Sequence, residues 1–147
     1  MLYNFEIIQI KENDLNIRRL QRLIKRIIEQ EEINPDYKLN IVLTNNERLQ
    51  ELNKKFKDID RPTDVLSFSF DEDEVEVEPL LGEVYISLEK AKEQSQKYDV
   101  TLQNEVERLM VHGILHLIGW EHQSEKDAKK MFSKIESYLS YHTKKDK

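Results

Sequence analysis

Three of the four histidines of this 147-residue chain fall within eleven residues, His112-Gly113-Ile114-Leu115-His116-Leu117-Ile118-Gly119-Trp120-Glu121-His122. That spacing constrains local geometry before any fold is considered. Residues four apart on an α-helix share a face with Cβ atoms about 5–6 Å apart, so the imidazoles of His112 and His116 can converge on one ion at about 2.0–2.1 Å. Gly119 follows three residues later, where a left-handed backbone can end the helix and reverse the chain, returning His122 as a third ligand. The segment predicts a helix, a turn after it, and a metal site made of His112, His116 and His122.

A single histidine on an apolar helix face is usually a core residue, but three at ligand spacing in a chain with so few are not an accident of composition. His142 earns no such weight, because it sits in a polar tail ending Thr143-Lys144-Lys145-Asp146-Lys147. Three protein ligands leave one coordination position open. Structural zinc sites are normally closed by four ligands and rich in cysteine, which this chain lacks altogether, so a catalytic zinc, one per chain, is expected. Such an ion lowers the pKa of bound water from about 15.7 to about 7 and polarises phosphoryl or carbonyl oxygens, which makes hydrolysis the natural class.

The His-x-x-x-His-x-x-Gly-x-x-His spacing matches the metzincin proteases. Those enzymes carry a glutamate directly after the first histidine as general base, and here that position is Gly113. A metallopeptidase is therefore the second reading. No catalytic base is identified. Glu121 and Glu83 are candidates, with orientation of a ligating imidazole the expected role for either. Gly113 costs about 1 kcal/mol inside a helix, which leaves two explanations open: close packing against a neighbouring element, or a substrate approaching the backbone.

The length suits one core, and 38% hydrophobic with 35% charged residues is typical of a globular chain, so residues 1–147 are expected to form a single domain. The N-terminus lacks a basic region followed by an apolar run, and no eighteen apolar residues occur in succession, so a cytoplasmic location without a membrane span is expected. The absence of cysteine rules out a disulfide framework.

Strands are expected at 2–10, 37–44, 64–70 and 82–87. Helices are expected at 14–31, with Leu20, Leu23, Ile24, Ile27 and Ile28 at helical spacing, then from the segment 44–47 through Phe56, at 88–98, from 102 to 117 or 118, and from 124 to about 139. Thr44-Asn45-Asn46-Glu47 has the form of a capping box. Asp71 to Glu78 holds six acidic residues in eight and is expected as a solvated loop. The order predicts an α+β fold, an α/β sandwich with a mixed sheet of about four strands packed with about five helices.

A net charge of −6 argues against indiscriminate coating of nucleic acid. Local basic groups remain. Arg18, Arg19, Arg22, Lys25 and Arg26 crowd the first helix, where a solvated face is the ordinary explanation. Lys54, Lys55, Lys57 and Arg61 lead into the rigid turn Pro62-Thr63-Asp64, a better position for contacting a substrate.

The histidine segment, with Leu52-Asn53-Lys54-Lys55-Phe56-Lys57-Asp58, Pro62-Thr63-Asp64-Val65-Leu66-Ser67-Phe68 and Leu81-Gly82-Glu83, resembles the YbeY family of bacterial endoribonucleases over about residues 50–137. Glu121 stands where that family usually has aspartate. Lys57 stands where it usually has an arginine beside the metal, and lysine keeps the charge without the planar fork. The resemblance implies a zinc-dependent, single-strand-specific endoribonuclease with His112, His116 and His122 as ligands. It also implies ribosomal RNA and the small ribosomal subunit as partners, rather than DNA, and roles in 16S rRNA 3′ end maturation and ribosome quality control. A third reading is a non-enzymatic ribosome-assembly factor whose zinc is structural.

Overall fold

The computed structural model describes residues 3–9, 13–57, 64–69, 80–120 and 124–145. Strand β1 (Phe5–Gln9) leads to helix α1 (Ile17–Gln30), then β2 (Lys38–Thr44), α2 (Asn46–Lys57), β3 (Val65–Ser69) and β4 (Leu80–Ser87). Helices α3 (Leu88–Lys97), α4 (Leu102–Leu117) and α5 (Glu125–Lys145) follow. The sheet order is β1-β2-β4-β3, parallel from β1 through β2 to β4, with β3 antiparallel on the edge. Four strands and five helices among the described residues make the expected α+β fold.

Alternation divides the sheet into two faces. Leu39, Ile41 and Leu43 of β2 and Val84 and Ile86 of β4 enter the main core, where they meet the predicted stripe of α1. Val106, Leu109, Met110, Val111, Ile114 and Leu115 make α4 the central helix of that core, and Met131, Ile135 and Tyr138 bring α5 to it. On the other face α2 packs Leu49 and Leu52 onto Leu66, with Phe68 and Tyr85 beside them. Strand β3 is therefore covered on both faces, Leu66 and Phe68 by α2 and Val65 by the α4 core.

Two boundaries differ from expectation for physical reasons. The Thr44–Glu47 capping box does not form, because Thr44 stays in β2 opposite Ser87. Asn45 caps α2 instead, its Oδ1 accepting from the Arg48 N–H at 2.8 Å, and the Asn46 N–H donates to Glu89 Oε1 of α3 at 2.9 Å. Helix α5 runs on to Lys145 rather than stopping near Leu139. Nothing between residues 139 and 145 is a glycine or proline that would break the helix.

Three helices end alike. Past α4, the Trp120 N–H bonds Leu115 O and the Gly119 N–H bonds His116 O, with Gly119 at φ +101°. Past α1, Ile33 bonds Ile28 O around Glu32 at φ +55°, and past α3, Val100 bonds Ser95 O around Asp99 at φ +54°. These are left-handed reversals that satisfy the last carbonyls, and only one of them uses a glycine.

The acidic stretch Asp71–Glu78 and the turn residues Pro62 and Thr63 lie outside the described residues. Asp64 beside them accepts from Gln94 Nε2 at 3.1 Å, and its carbonyl accepts from the Ser87 N–H at 3.0 Å. No helix among the described residues is long and apolar enough to cross a membrane.

Candidate metal centre

Helix α4 starts at the Thr101 cap, whose side chain accepts from the Asn104 N–H, and most of its residues from Glu105 to Leu115 are buried. Two carboxylates nevertheless lie inside its packing. Glu105, 2% exposed, takes a forked pair of bonds from Arg108 at 2.9 and 2.6 Å, which hold the guanidinium above its usual pKa against the opposing effect of burial. Glu107 pairs with Arg19 at 2.8 Å and accepts from Gln103 at 3.0 Å. Arg19 thus ties α1 to α4, while Lys25 and Arg26 lie over the rings of Tyr3 and Tyr138 at 5.9 and 5.8 Å. Three of the five first-helix cations, Arg19, Lys25 and Arg26, are thus engaged with other parts of the fold.

His112 and His116 are both half-buried near the end of α4, with ring centroids 4.6 Å apart and planes inclined by 33°. Their Nε2 atoms approach to 2.8 Å. A tetrahedral ion with bonds of about 2.0–2.1 Å separates two such nitrogens by about 3.3 Å. The pair therefore has the right atoms facing each other and needs only a small opening of the rings to hold an ion between them. His122 and Glu121 lie outside the described residues, and among the described residues no three His, Cys, Asp or Glu side chains form a cluster.

Gly113 resolves the two explanations left open for it. A Cβ there would stand 2.5 Å from Val84 Cγ1, 3.1 Å from Ser67 Oγ and 3.2 Å from Val65 Cγ2. The glycine lets α4 press against β3 and β4, and Ser67 Oγ donates to the Gly113 carbonyl at 2.9 Å. Packing is the reason, and the contact fixes the depth of the histidine helix on the sheet. At Gly82 a Cβ would stand 2.3 Å from Phe68 O and 2.8 Å from Leu117 Cδ2, so the sheet closes on the last turn of α4 as well.

The orienting role expected for Glu83 does not hold. Val84 faces α4, so its neighbour Glu83 faces the opposite side of the sheet, where its carboxylate accepts from Asn40 Nδ2 at 3.2 Å and from the Tyr85 hydroxyl at 3.0 Å. Alternation with Val84 and Ile86 was the available signal. Lys57 closes α2, and Arg61 lies outside the described residues.

One group escaped sequence reasoning. Glu31, at the end of α1, receives Trp120 Nε1 at 3.3 Å and Lys134 Nζ at 2.9 Å, together with a short bond from the Tyr138 hydroxyl. Burial pushes its carboxyl up, but the bonds from Tyr138, Lys134 and Trp120 together hold it below the usual glutamate value. No local pattern announces a contact between residues 89 positions apart.

Comparison with known proteins identifies the family. The family model described as Endoribonuclease YbeY matches residues 6–142. The Endoribonuclease YbeY of Acetivibrio thermocellus is 37% identical over 146 residues, spanning 89% of this chain and 89% of the relative. That of Oceanobacillus iheyensis is 42% identical over 128 residues, spanning 82% and 83%. The solution structure of TM1509 from Thermotoga maritima superposes with a TM-score of 0.61 at 31% identity, covering 93% of this chain and 89% of that one. With a family match along most of its length, relatives above 30% identity and a shared fold, the chain belongs to the YbeY endoribonuclease family.

Proposed function

We propose that this chain is a zinc-dependent, single-strand-specific endoribonuclease acting in the cytoplasm on ribosomal RNA of the small subunit, including 16S rRNA 3′ end maturation, and in ribosome quality control. The observation that carries the metal part is the convergence of His112 and His116 Nε2 at 2.8 Å on one helix face. Family membership supports RNA cleavage. In this reading His122 completes the ligand set, and one zinc ion is bound per chain.

When bound, zinc supplies Lewis-acid polarisation at a phosphoryl oxygen and lowers the pKa of water. The protein's own contributions are positional. Gly113 seats α4 against the sheet, Ser67 anchors the same turn, and Gly119 turns the chain at the end of α4. Lys57 or Arg61 neutralises the scissile phosphate. The peptidase reading gains nothing from the structure, because the position where those enzymes carry their base is the glycine packed on Val84.

Elemental analysis tests the site. The unsubstituted protein should hold about one zinc per chain and His116→Ala much less, since removing one of three ligands breaks the chelate. Equal metal in both would refute it. Cleavage of a single-stranded RNA oligonucleotide should cease with chelator, return with zinc and be absent in His116→Ala. Turnover of unstructured peptides without turnover of RNA would favour the peptidase. Loss of the circular dichroism spectrum on chelation, without RNA cleavage in the loaded protein, would favour a structural zinc in an assembly factor.

A further inference from the structure

We propose that Glu31 is a positioning residue for the metal centre, fixing the indole of Trp120 and so holding the chain where it departs toward His122. The inference rests on the zinc reading above. Trp120 is two residues ahead of His122 and is held at both ends. Its backbone N–H is bound by Leu115 O at 3.0 Å, and its ring N–H donates to Glu31 Oε1 at 3.3 Å.

The carboxylate that receives the indole is itself fixed. The Glu31 side chain is 8% exposed, its other oxygen bonds Tyr138 and Lys134 of α5, and the Lys134 ammonium lies 5.8 Å over the Trp120 ring and 5.6 Å over that of Tyr138. The carboxylate of this half-buried residue therefore joins the end of α1, the turn after α4 and the middle of α5. An apolar junction would bury the same surface without the desolvation of a carboxylate and an ammonium. What the polar junction adds is direction. An indole N–H with one acceptor and a cation over its ring has a fixed rotation as well as a fixed depth.

That direction matters because His112 and His116 share a helix, whereas the third ligand must return from beyond its end. Each unfixed residue between the pair and the third ligand adds conformations that are lost when the ion binds. With Trp120 clamped, only Glu121 separates a fixed residue from His122. Groups that orient metal ligands from outside the coordination sphere typically change affinity by about ten- to a hundredfold when removed.

The test is zinc affinity, measured by competition with a chromophoric chelator, together with the emission of Trp120, the chain's single tryptophan. Glu31→Ala should weaken zinc binding by about ten- to a hundredfold and diminish the zinc-induced change in emission, while Glu31→Gln, which keeps an acceptor for the indole, restores part of both. Trp120→Phe, which keeps a ring and loses the donor, should weaken zinc in the same direction and carries the test if Glu31→Ala fails to fold. Folded variants with reduced thermal stability but unchanged zinc affinity would overturn this role and leave the metal site standing. An unsubstituted protein that binds no zinc would overturn both.

Discussion

Gly113→Ala tests whether helix–sheet contact depth governs the site. The added methyl would lie 2.5 Å from Val84 Cγ1, with Ser67 Oγ and Val65 Cγ2 at 3.1 and 3.2 Å. Carbon atoms pack at about 3.5–4.0 Å, so α4 would have to withdraw by about 1 Å or more. Val84 cannot swing aside, being β-branched and fully buried in β4. Overpacking costs about 1–3 kcal/mol, and three simultaneous contacts place this case in the upper half of that range. Alanine returns about 1 kcal/mol through helix propensity. The net loss is about 1–2 kcal/mol, a fall of about 2–8 °C in Tm for a chain of this size. Urea and thermal unfolding would measure it, with zinc binding falling in parallel as the histidine turn shifts. A double-mutant cycle with Val84→Ala isolates the contact, because Gly113→Ala should cost less when the valine is already gone. A stabilised Gly113→Ala, or strict additivity with Val84→Ala, would refute the packing argument.

Glu32→Gly should stabilise the protein by about 0.5–1 kcal/mol in urea unfolding, since glutamate at φ +55° carries a left-handed penalty that glycine lacks, less glycine's greater freedom when unfolded. Arg108→Met should destabilise it by about 2–3 kcal/mol at neutral pH, because Glu105 loses two charge-assisted bonds while remaining buried; the loss is tempered because Arg108 itself is a third exposed. An unchanged denaturation midpoint would show that Glu105 finds water or another partner. Glu31 gives a pH signature. Its folded-state pKa is depressed, so its contribution is fully present above the unfolded value of about 4.3 and is lost as pH falls through the lower folded value. The stability gap between the natural protein and Glu31→Gln should therefore narrow below about pH 4.3. A gap that widens there would reverse the assigned direction.

Local periodicity carried much of this fold. Leu20, Leu23, Ile24, Ile27 and Ile28 are the buried stripe of α1, and His112 and His116 stand together on α4 because residues four apart on a helix share a face. Gly119 could be anticipated as a reversal because glycine tolerates positive φ, whereas Glu32 and Asp99 make the same turn without any such marker. Thr44 and Asn45 could each cap α2, and sheet pairing at Ser87 decided between them. Gly113 was visible as an anomaly, but its cause lies in Val84, Ser67 and Val65, side chains of other strands. The junction at Glu31 was invisible for the same reason: it is made by residues from three helical segments that meet only once the core has formed.

The placement of His116 in the final turn of α4 has an electrostatic consequence. Aligned peptide dipoles give a helix about half a negative charge at that end. A divalent cation seated between the imidazoles would be attracted by it, whereas a bare phosphate would be repelled. For the zinc ion proposed above, the backbone would add about 0.3–1 kcal/mol to the hold of the two imidazoles, and it would disfavour a bare phosphate at the same spot by a similar amount.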